Sequence, residues 1–202
     1  MTLLFDLDGT IIDSTEAIVE SFGVAYNTFG TPVPESHAII ELIGLPLLTM
    51  FERLGIPSTL AQDYVDTYKA HYRTVATAKT YILPFAKEAI HKASAFATLG
   101  VVTTKTGRYS EEILTHLGVR DYFSTIVGFE HVTHPKPHPE PILTALNALN
   151  VPANSDVWMI GDTPLDICCA NDAHVKHVAL TSGYASYETL ASYTSIIHPH
   201  VL

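Results

Sequence analysis

The chain has 202 residues, of which 47% are hydrophobic and 16% are charged, and its formal net charge is −10 at pH 7. This length suits one domain of ordinary size, or one core domain with a modest insertion. The low charged fraction and the large apolar fraction predict a folded chain with a sizeable core, and not a disordered one. The acidic balance disfavours nucleic acid and anionic membranes as partners, because both are bound through clustered positive charge.

The start of the chain and its cysteine content favour a cytoplasmic protein. The apolar run after Met1 is much shorter than the apolar segment of a signal peptide. No stretch approaches the roughly 18 apolar residues that a membrane-spanning helix needs. The two cysteines, Cys168 and Cys169, are adjacent and are therefore not expected to form a disulfide bond. A reducing cytoplasm is the expected location.

The first part of the chain predicts one strand followed by a helical block. The apolar run at 3–6 predicts a short buried strand. A helical pattern begins at Asp13 and Ser14 and stops before Gly30. Further helices are predicted at 34–43, 47–54 and 58–78. Residues 15–82 are therefore interpreted as all-helical.

After Pro84 the pattern changes to strands that alternate with helices. The predicted strands are 97–103, 125–127, 157–160 and 178–180, and the predicted helices are 85–94, 110–117, 140–149 and 165–171. This alternation is typical of a parallel sheet covered on both faces. The predicted fold class is therefore α/β, with a core formed by residues 1–14 and 83–202 and a helical domain, 15–82, inserted after the first strand.

Acidic side chains directly follow two of the predicted strands. Ligands bind at the carboxyl ends of the strands in open parallel sheets, so these positions are the first candidates for a site. Asp6 and Asp8 follow the first strand, and Asp162 and Asp166 follow the strand at 157–160. Each pair alone is more often a turn or a helix cap. Together, at neighbouring strand ends, they form an oxygen-rich site suited to Mg²⁺.

Two further residues can complete a phosphate site. Thr103 follows the second strand of the predicted sheet, and Lys136 lies in a loop that its prolines stiffen. A hydroxyl and an ammonium group can hold phosphoryl oxygens, and phosphoryl transfer depends mostly on such positioning and charge compensation. A loop lysine on its own is more often a solvated surface residue, so this interpretation depends on the aspartates.

Four segments resemble the signature motifs of the haloacid dehalogenase superfamily of phosphohydrolases. They are FDLDGT at 5–10, VVTTK at 101–105, PKPHPEP at 135–141 and IGDTPLD at 160–166. Their order and spacing match, and the resemblance covers essentially the whole chain. It implies a Rossmann-like α/β core with a helical cap domain. The IGLPL, CCANDA and ALTSGY segments look most like the phosphoglycolate phosphatase and pyrophosphatase branch.

The resemblance implies a role for each candidate residue. Asp6 would be the nucleophile that forms an aspartyl-phosphate, and Asp8 would be the general acid and base. Mg²⁺ would be bound by Asp6, by the backbone carbonyl of Asp8 and by Asp162, with Asp166 holding this set of ligands in place. Backbone N–H groups around Leu7 and Thr104 would also bind phosphate, and Gly9 would allow the tight turn there. The implied phosphate-binding residues are Gly9, Thr103, Thr104 and Lys136.

Some residues near these motifs receive weaker interpretations. Lys105 and Arg108 follow Thr103 and are minor candidates for contacts with phosphate or substrate. The histidines around Lys136 match no zinc signature and are expected to be exposed loop residues: His131, His134 and His138. Three tyrosines share a stripe of the predicted helix 58–78, and packing is favoured over substrate contact for them: Tyr64, Tyr68 and Tyr72.

The leading hypothesis is a Mg²⁺-dependent phosphatase that acts on a small phosphate monoester, phosphoglycolate-like, as a monomer or homodimer. A phosphomutase or pyrophosphatase of the same superfamily is the alternative, and the predicted cap shows no obvious basic cluster that would favour a mutase. A receiver-like phospho-acceptor module belongs to another class, but such modules lack the DGT sequence and a helical cap. A non-catalytic relative is disfavoured because Asp6, Asp8, Lys136 and Asp162 are all present.

Overall fold

The structure, a computed structural model, describes residues 1–154 and 156–201. Its main element is a parallel sheet of six strands. In spatial order these are β5 (Phe123–Val127), β4 (Thr98–Val102), β1 (Thr2–Phe5), β6 (Val157–Gly161), β7 (Lys176–Leu180) and β8 (Ile197–His198). A separate antiparallel ladder pairs β2 (Ile12–Asp13) with β3 (Tyr81–Ile82). The predicted α/β class is confirmed.

Strand β1 lies in the middle of the sheet and positions the site. Phe5 is aligned with Val101 of β4 and with Ile160 of β6. The three strands therefore end side by side, and the residues that follow them meet at one edge of the sheet. Successive side chains of a strand point to opposite faces, so Leu4 and Phe5 pack into different parts of the core.

Helices lie on both faces of the sheet, but they cover the two faces unequally. Helices α7 and α8 pack on one face, against β4, β5, β6 and β7. On the other face, α5 and α6 lie over the β4–β5 half, whereas Leu3, Trp158 and Val178 line an open groove. Within the described residues, helices therefore lie on both faces as expected, but they cover this half of the second face only in part. The helices are α1 (Thr15–Thr28), α2 (Ser36–Ile40), α3 (Leu47–Arg53), α4 (Ser58–Val75), α5 (Ala86–Ser94), α6 (Gly107–His116), α7 (Glu140–Leu149), α8 (Pro164–Asp172) and α9 (Tyr187–Ala191).

Helices α1 to α4 form a layer over the carboxyl end of the sheet, with aromatic side chains at its centre. The ring of Phe22 on α1 lies 4.4 Å from Phe51 and 5.1 Å from Tyr68, between ring centroids. Burial of side chains of this size contributes roughly 1.5–3 kcal/mol each. The three tyrosines of α4 are buried, as the packing interpretation expects, but two of them also line a cavity beside Asp8: Tyr68 and Tyr72.

The chain leaves and re-enters the core through the β2–β3 ladder, in which Ile12 pairs with Ile82 and Asp13 with Tyr81. The helical block ends at Val75, so the all-helical interpretation of 15–82 is wrong at its end. Runs of two residues are too short to show a strand period in the sequence. In the part of the chain that the structure describes, no helix combines the length and apolarity needed to cross a bilayer.

Candidate active site

Three predicted carboxylates meet at the edge of the sheet. Asp6 directly follows β1, Asp162 directly follows β6, and Asp166 lies in the first turn of α8. All three residues are buried, and one carboxylate oxygen from each lies within 4.8 Å of the chosen oxygens of the other two. A group of oxygens brought together in this way from two strand ends and a helix is the arrangement that a hard divalent cation prefers.

Hydrogen bonds fix the orientation of two of these carboxylates. Asp162 accepts from the Thr10 hydroxyl at 3.1 Å and from the Tyr184 N–H at 2.8 Å. Asp166 accepts from the hydroxyl of Thr163 at 2.8 Å and from its N–H at 3.1 Å, and so caps α8. The protein therefore holds the oxygens in place before any ligand arrives.

Two glycines allow the backbone to approach Asp162 closely. Gly9 has φ of 80°, and a Cβ there would lie 2.3 Å from Asp162 Oδ2. A Cβ at Gly183 would lie 2.0 Å from the same oxygen. Any larger residue at either position would displace this carboxylate.

Lys136 lies against the carboxylate cluster. Its Nζ is 2.9 Å from Asp6 Oδ1 and donates a hydrogen bond of 2.6 Å to Asp166 Oδ1. The lysine side chain is only 2% exposed. Burial of an ammonium group is costly unless it is paired, and two carboxylates provide the pairing here.

The loop before Lys136 is fastened by a glutamate at the start of α7. Glu140 accepts hydrogen bonds from the N–H groups of Thr133 at 2.8 Å and His134 at 2.9 Å. Its carboxylate also lies 2.8 Å from His134 Nδ1, and its N–H donates to His138 Nδ1 at 3.1 Å. His134 and His138 are exposed as expected, and with Glu140 they form a cluster that organises this loop.

Asp8 faces away from the cluster. One of its oxygens accepts a hydrogen bond from the Ser14 hydroxyl, and the other lies 3.2 Å from Lys105 Nζ. Lys105 Nζ in turn donates to the Tyr72 hydroxyl of α4 at 2.9 Å. Sequence reasoning gave Lys105 little weight. The signal that could have found it is its position two residues after Thr103 at a strand end, like that of Asp8 after Asp6.

The two predicted threonines make different contacts. Thr103 is buried, and its hydroxyl oxygen accepts a hydrogen bond from the Lys105 N–H at 3.1 Å. The Thr104 hydroxyl donates to the Gly44 carbonyl at 2.9 Å, so this side chain connects the helical layer to the core. The contact with phosphate is expected instead from the backbone N–H groups around Thr104.

The electrostatics of the cluster favour a bound cation. Burial, with the nearby charges of Asp166 and Asp8, raises the pKa of Asp6 to about 7 even though Lys136 opposes the shift. Burial and the neighbouring carboxylates also hold the pKa of Asp162 well above its usual range. Among the described residues, Lys136 is the cation that pairs with the cluster of Asp6, Asp162 and Asp166, so a divalent cation would balance the remaining charge. The donor set fits Mg²⁺.

The chain matches the family model described as haloacid dehalogenase-like hydrolase over residues 3–180. It is 34% identical over 192 residues to "Pyrophosphatase PpaX" of Halalkalibacterium halodurans, covering 91% of this chain and 84% of that protein. It is 30% identical over 202 residues to "Phosphoglycolate phosphatase" of Colwellia psychrerythraea, covering 95% and 88%. A haloacid dehalogenase-like family hydrolase from Streptococcus pneumoniae has the same fold, with a TM-score of 0.89 at 24% identity over 99% of this chain and 94% of that one.

Proposed function

Because this chain belongs to the haloacid dehalogenase-like hydrolase family, we propose that it is a Mg²⁺-dependent phosphatase that hydrolyses a small phosphate monoester through an aspartyl-phosphate. The observation that carries the proposal is the different environment of two neighbouring aspartates. Asp6 lies among carboxylates and Lys136, where a phosphoryl group and a cation would bind. Asp8 turns toward the helical layer, where the rest of a substrate would lie.

In the first step, a carboxylate oxygen of Asp6 attacks phosphorus in line with the leaving oxygen. The bond from phosphorus to that oxygen breaks, and Asp8 gives it a proton, so that an alcohol departs. Asp6, the backbone carbonyl of Asp8 and Asp162 would hold Mg²⁺, with Asp166 keeping these ligands in place, and the bound ion would supply charge compensation for the phosphoryl oxygens. The remaining contacts to these oxygens come from Gly9, Thr103, Thr104 and Lys136.

In the second step, a water molecule attacks the phosphorus of the aspartyl-phosphate. Asp8 takes a proton from this water, the bond between phosphorus and Asp6 breaks, and inorganic phosphate is released. Both aspartates then return to their starting states. The two steps require one group as nucleophile and a separate one as acid and base, which the two environments supply.

The leading substrate is a compact monoester such as phosphoglycolate, supported by the relative of that name. Pyrophosphate is the second candidate, supported by the pyrophosphatase that is 34% identical. A receiver-like module is disfavoured, because the layer formed by α1 to α4 covers the site and would restrict a protein phosphodonor. We further expect a cytoplasmic enzyme that acts as a monomer or homodimer.

Release of inorganic phosphate from para-nitrophenyl phosphate tests the proposal. We expect multiple turnovers with Mg²⁺ and none with EDTA, and a loss of about a thousandfold or more in Asp6→Asn. Asp63→Asn is the matched control, because Asp63 is exposed on α4 and should tolerate the same change. Turnover by Asp6→Asn at the rate of the control would refute Asp6 as the nucleophile.

A further inference from the structure

A cavity of about 160 Å³ lies between the helical layer and the edge of the sheet, beside Asp8. Much of its wall is apolar and comes from both layers, with Ile18, Leu47 and Val65 among the lining residues. The charged residues that line it, within the described ranges, are Asp8, Lys69 and Lys105. The cavity therefore carries more positive than negative charge, although the chain as a whole is strongly acidic.

Lys105 is the more deeply placed of the two lysines. Its side chain is 9% exposed, and its Nζ lies over the Tyr72 ring, 4.6 Å from the ring centre. Among the described residues, its polar contacts are with one carboxylate, Asp8, and one neutral group, the Tyr72 hydroxyl. An ammonium group has three N–H donors, and these contacts use two of them. Lys136, in contrast, contacts two carboxylates. Lys105 therefore has both donor capacity and charge for a further anionic partner.

We propose that Lys105, oriented by Tyr72, binds a second anionic group, a carboxylate or a phosphate, on the leaving portion of the substrate. The inference rests on the proposed function, which puts the phosphoryl group at Asp6 and the leaving oxygen at Asp8. Because Lys105 Nζ is 3.2 Å from Asp8 Oδ2, one substrate can reach both groups only if its anion lies about two or three bonds beyond the leaving oxygen. The substrate class is thus a compact phosphate compound with two anionic ends.

The surroundings of Lys105 should make the preference for a substrate with a second anionic group strong. In a largely apolar site, a charge-assisted hydrogen bond is worth more than at an exposed surface. A neutral hydroxyl of the same size can still accept a hydrogen bond from Lys105, but this bond lacks the charge assistance that a carboxylate or phosphate provides. We expect the second anion to raise kcat/KM by about 10- to 150-fold.

The test compares three substrates with the full chain and Mg²⁺. Phosphoglycolate carries a carboxylate and pyrophosphate carries a second phosphate, whereas 2-hydroxyethyl phosphate matches phosphoglycolate in size but ends in a hydroxyl. We expect at least one of the two anionic substrates to exceed the neutral ester in kcat/KM by tenfold or more. The preferred one identifies the anion as carboxylate or phosphate. Equal kcat/KM values for all three would overturn the inference while leaving the phosphatase proposal intact.

Variants of Lys105 and Lys69 test which lysine causes the preference for anionic substrates. Lys105→Met should reduce the preference for the anionic substrate to about threefold or less, and this ratio within one variant cancels any general loss of active protein. Lys69→Met is the matched control, because Lys69 lines the same cavity without contacting Asp8, and its ratio should stay within about threefold of the original. If the preference for the anionic substrate fell equally in Lys105→Met and Lys69→Met, the assignment to Lys105 would be overturned. Absence of hydrolysis of all three substrates and of para-nitrophenyl phosphate would refute the proposed function, and the inference with it.

Discussion

The two lysines that contact Asp6 and Asp8 have different surroundings, and they define two ends of the candidate site: a core end around Lys136 and a cap end around Lys105. Lys136 contacts the carboxylates of Asp6 and Asp166, and both of these residues belong to the core. Lys105 contacts Asp8 of the core and Tyr72 of the helical layer. The core end is thus complete within one layer, whereas the other end needs both layers to be in place.

This difference would separate two tasks within the site: the chemistry on the phosphoryl group and the choice of the leaving group. At the core end, buried groups of fixed orientation would perform the same chemistry on any phosphoryl group. At the cap end, the cavity wall comes from both layers, and its shape would decide which leaving group fits. Changes at the core end should therefore abolish activity on every substrate, and changes at the cap end should alter the choice among substrates.

The largest effect is expected for Lys136→Met. Removal of this lysine leaves the carboxylates of Asp6 and Asp166 buried without their cation, which should lower the free energy of unfolding by about 3–5 kcal/mol. Activity on para-nitrophenyl phosphate should fall by about a thousandfold or more. Urea unfolding and steady-state kinetics measure the two effects. Lys87→Met, on the exposed surface of α5, is the control and should change neither.

Retention of more than about a tenth of the activity by Lys136→Met would contradict the catalytic importance of the core end. An unchanged free energy of unfolding would instead show that Mg²⁺ or solvent already balances the two carboxylates. The measurement is therefore made both with Mg²⁺ and with EDTA, and the larger loss is expected in EDTA.

A smaller effect is expected for Gly183→Ala, which tests the fixed position of Asp162. The added Cβ would lie 2.0 Å from Asp162 Oδ2, so the carboxylate must move. We expect the Mg²⁺ concentration for half-maximal activity to rise by about 10- to 100-fold. Gly23→Ala is the control: a Cβ there meets nothing within 4 Å in α1, and the change should stabilise the protein by about 0.5–1 kcal/mol. A Mg²⁺ dependence equal to that of the control would exclude this role of Gly183.

Much of the core end could be predicted from the sequence. Its aspartates directly follow apolar runs of β1 and β6, and the rule that ligands bind at strand ends brings these runs together before their contacts are known. The alternation of strands and helices after Pro84 likewise predicted β4 to β7, with ends displaced by a few residues. Both signals are local in the sequence, which is why they could be recognised.

The cap end could not be predicted in the same way. The contact of Lys105 with Tyr72 joins residues 33 positions apart on different layers, and no local pattern specifies how α4 is oriented above the sheet. The β2–β3 ladder and β8 have two residues per strand, too few for a period to show. What was missed is therefore the relation between the layers, which depends on tertiary packing.

The smallest effect is the pH dependence of stabilisation by Mg²⁺. The pKa of Asp6 is raised from 3.8 to about 7, so the folded metal-free protein holds a proton that the unfolded chain releases, and its stability falls as the pH rises through this window. Mg²⁺ must displace this proton at pH 5 but not at pH 8. The rise in Tm on adding Mg²⁺ should therefore be greater at pH 8 by roughly 3–8 °C, with NaCl of equal ionic strength as the reference. Lys105→Met should keep most of this rise and Asp162→Asn should lose it; the reverse result would show that the cation binds nearer Asp8 than the three-carboxylate cluster.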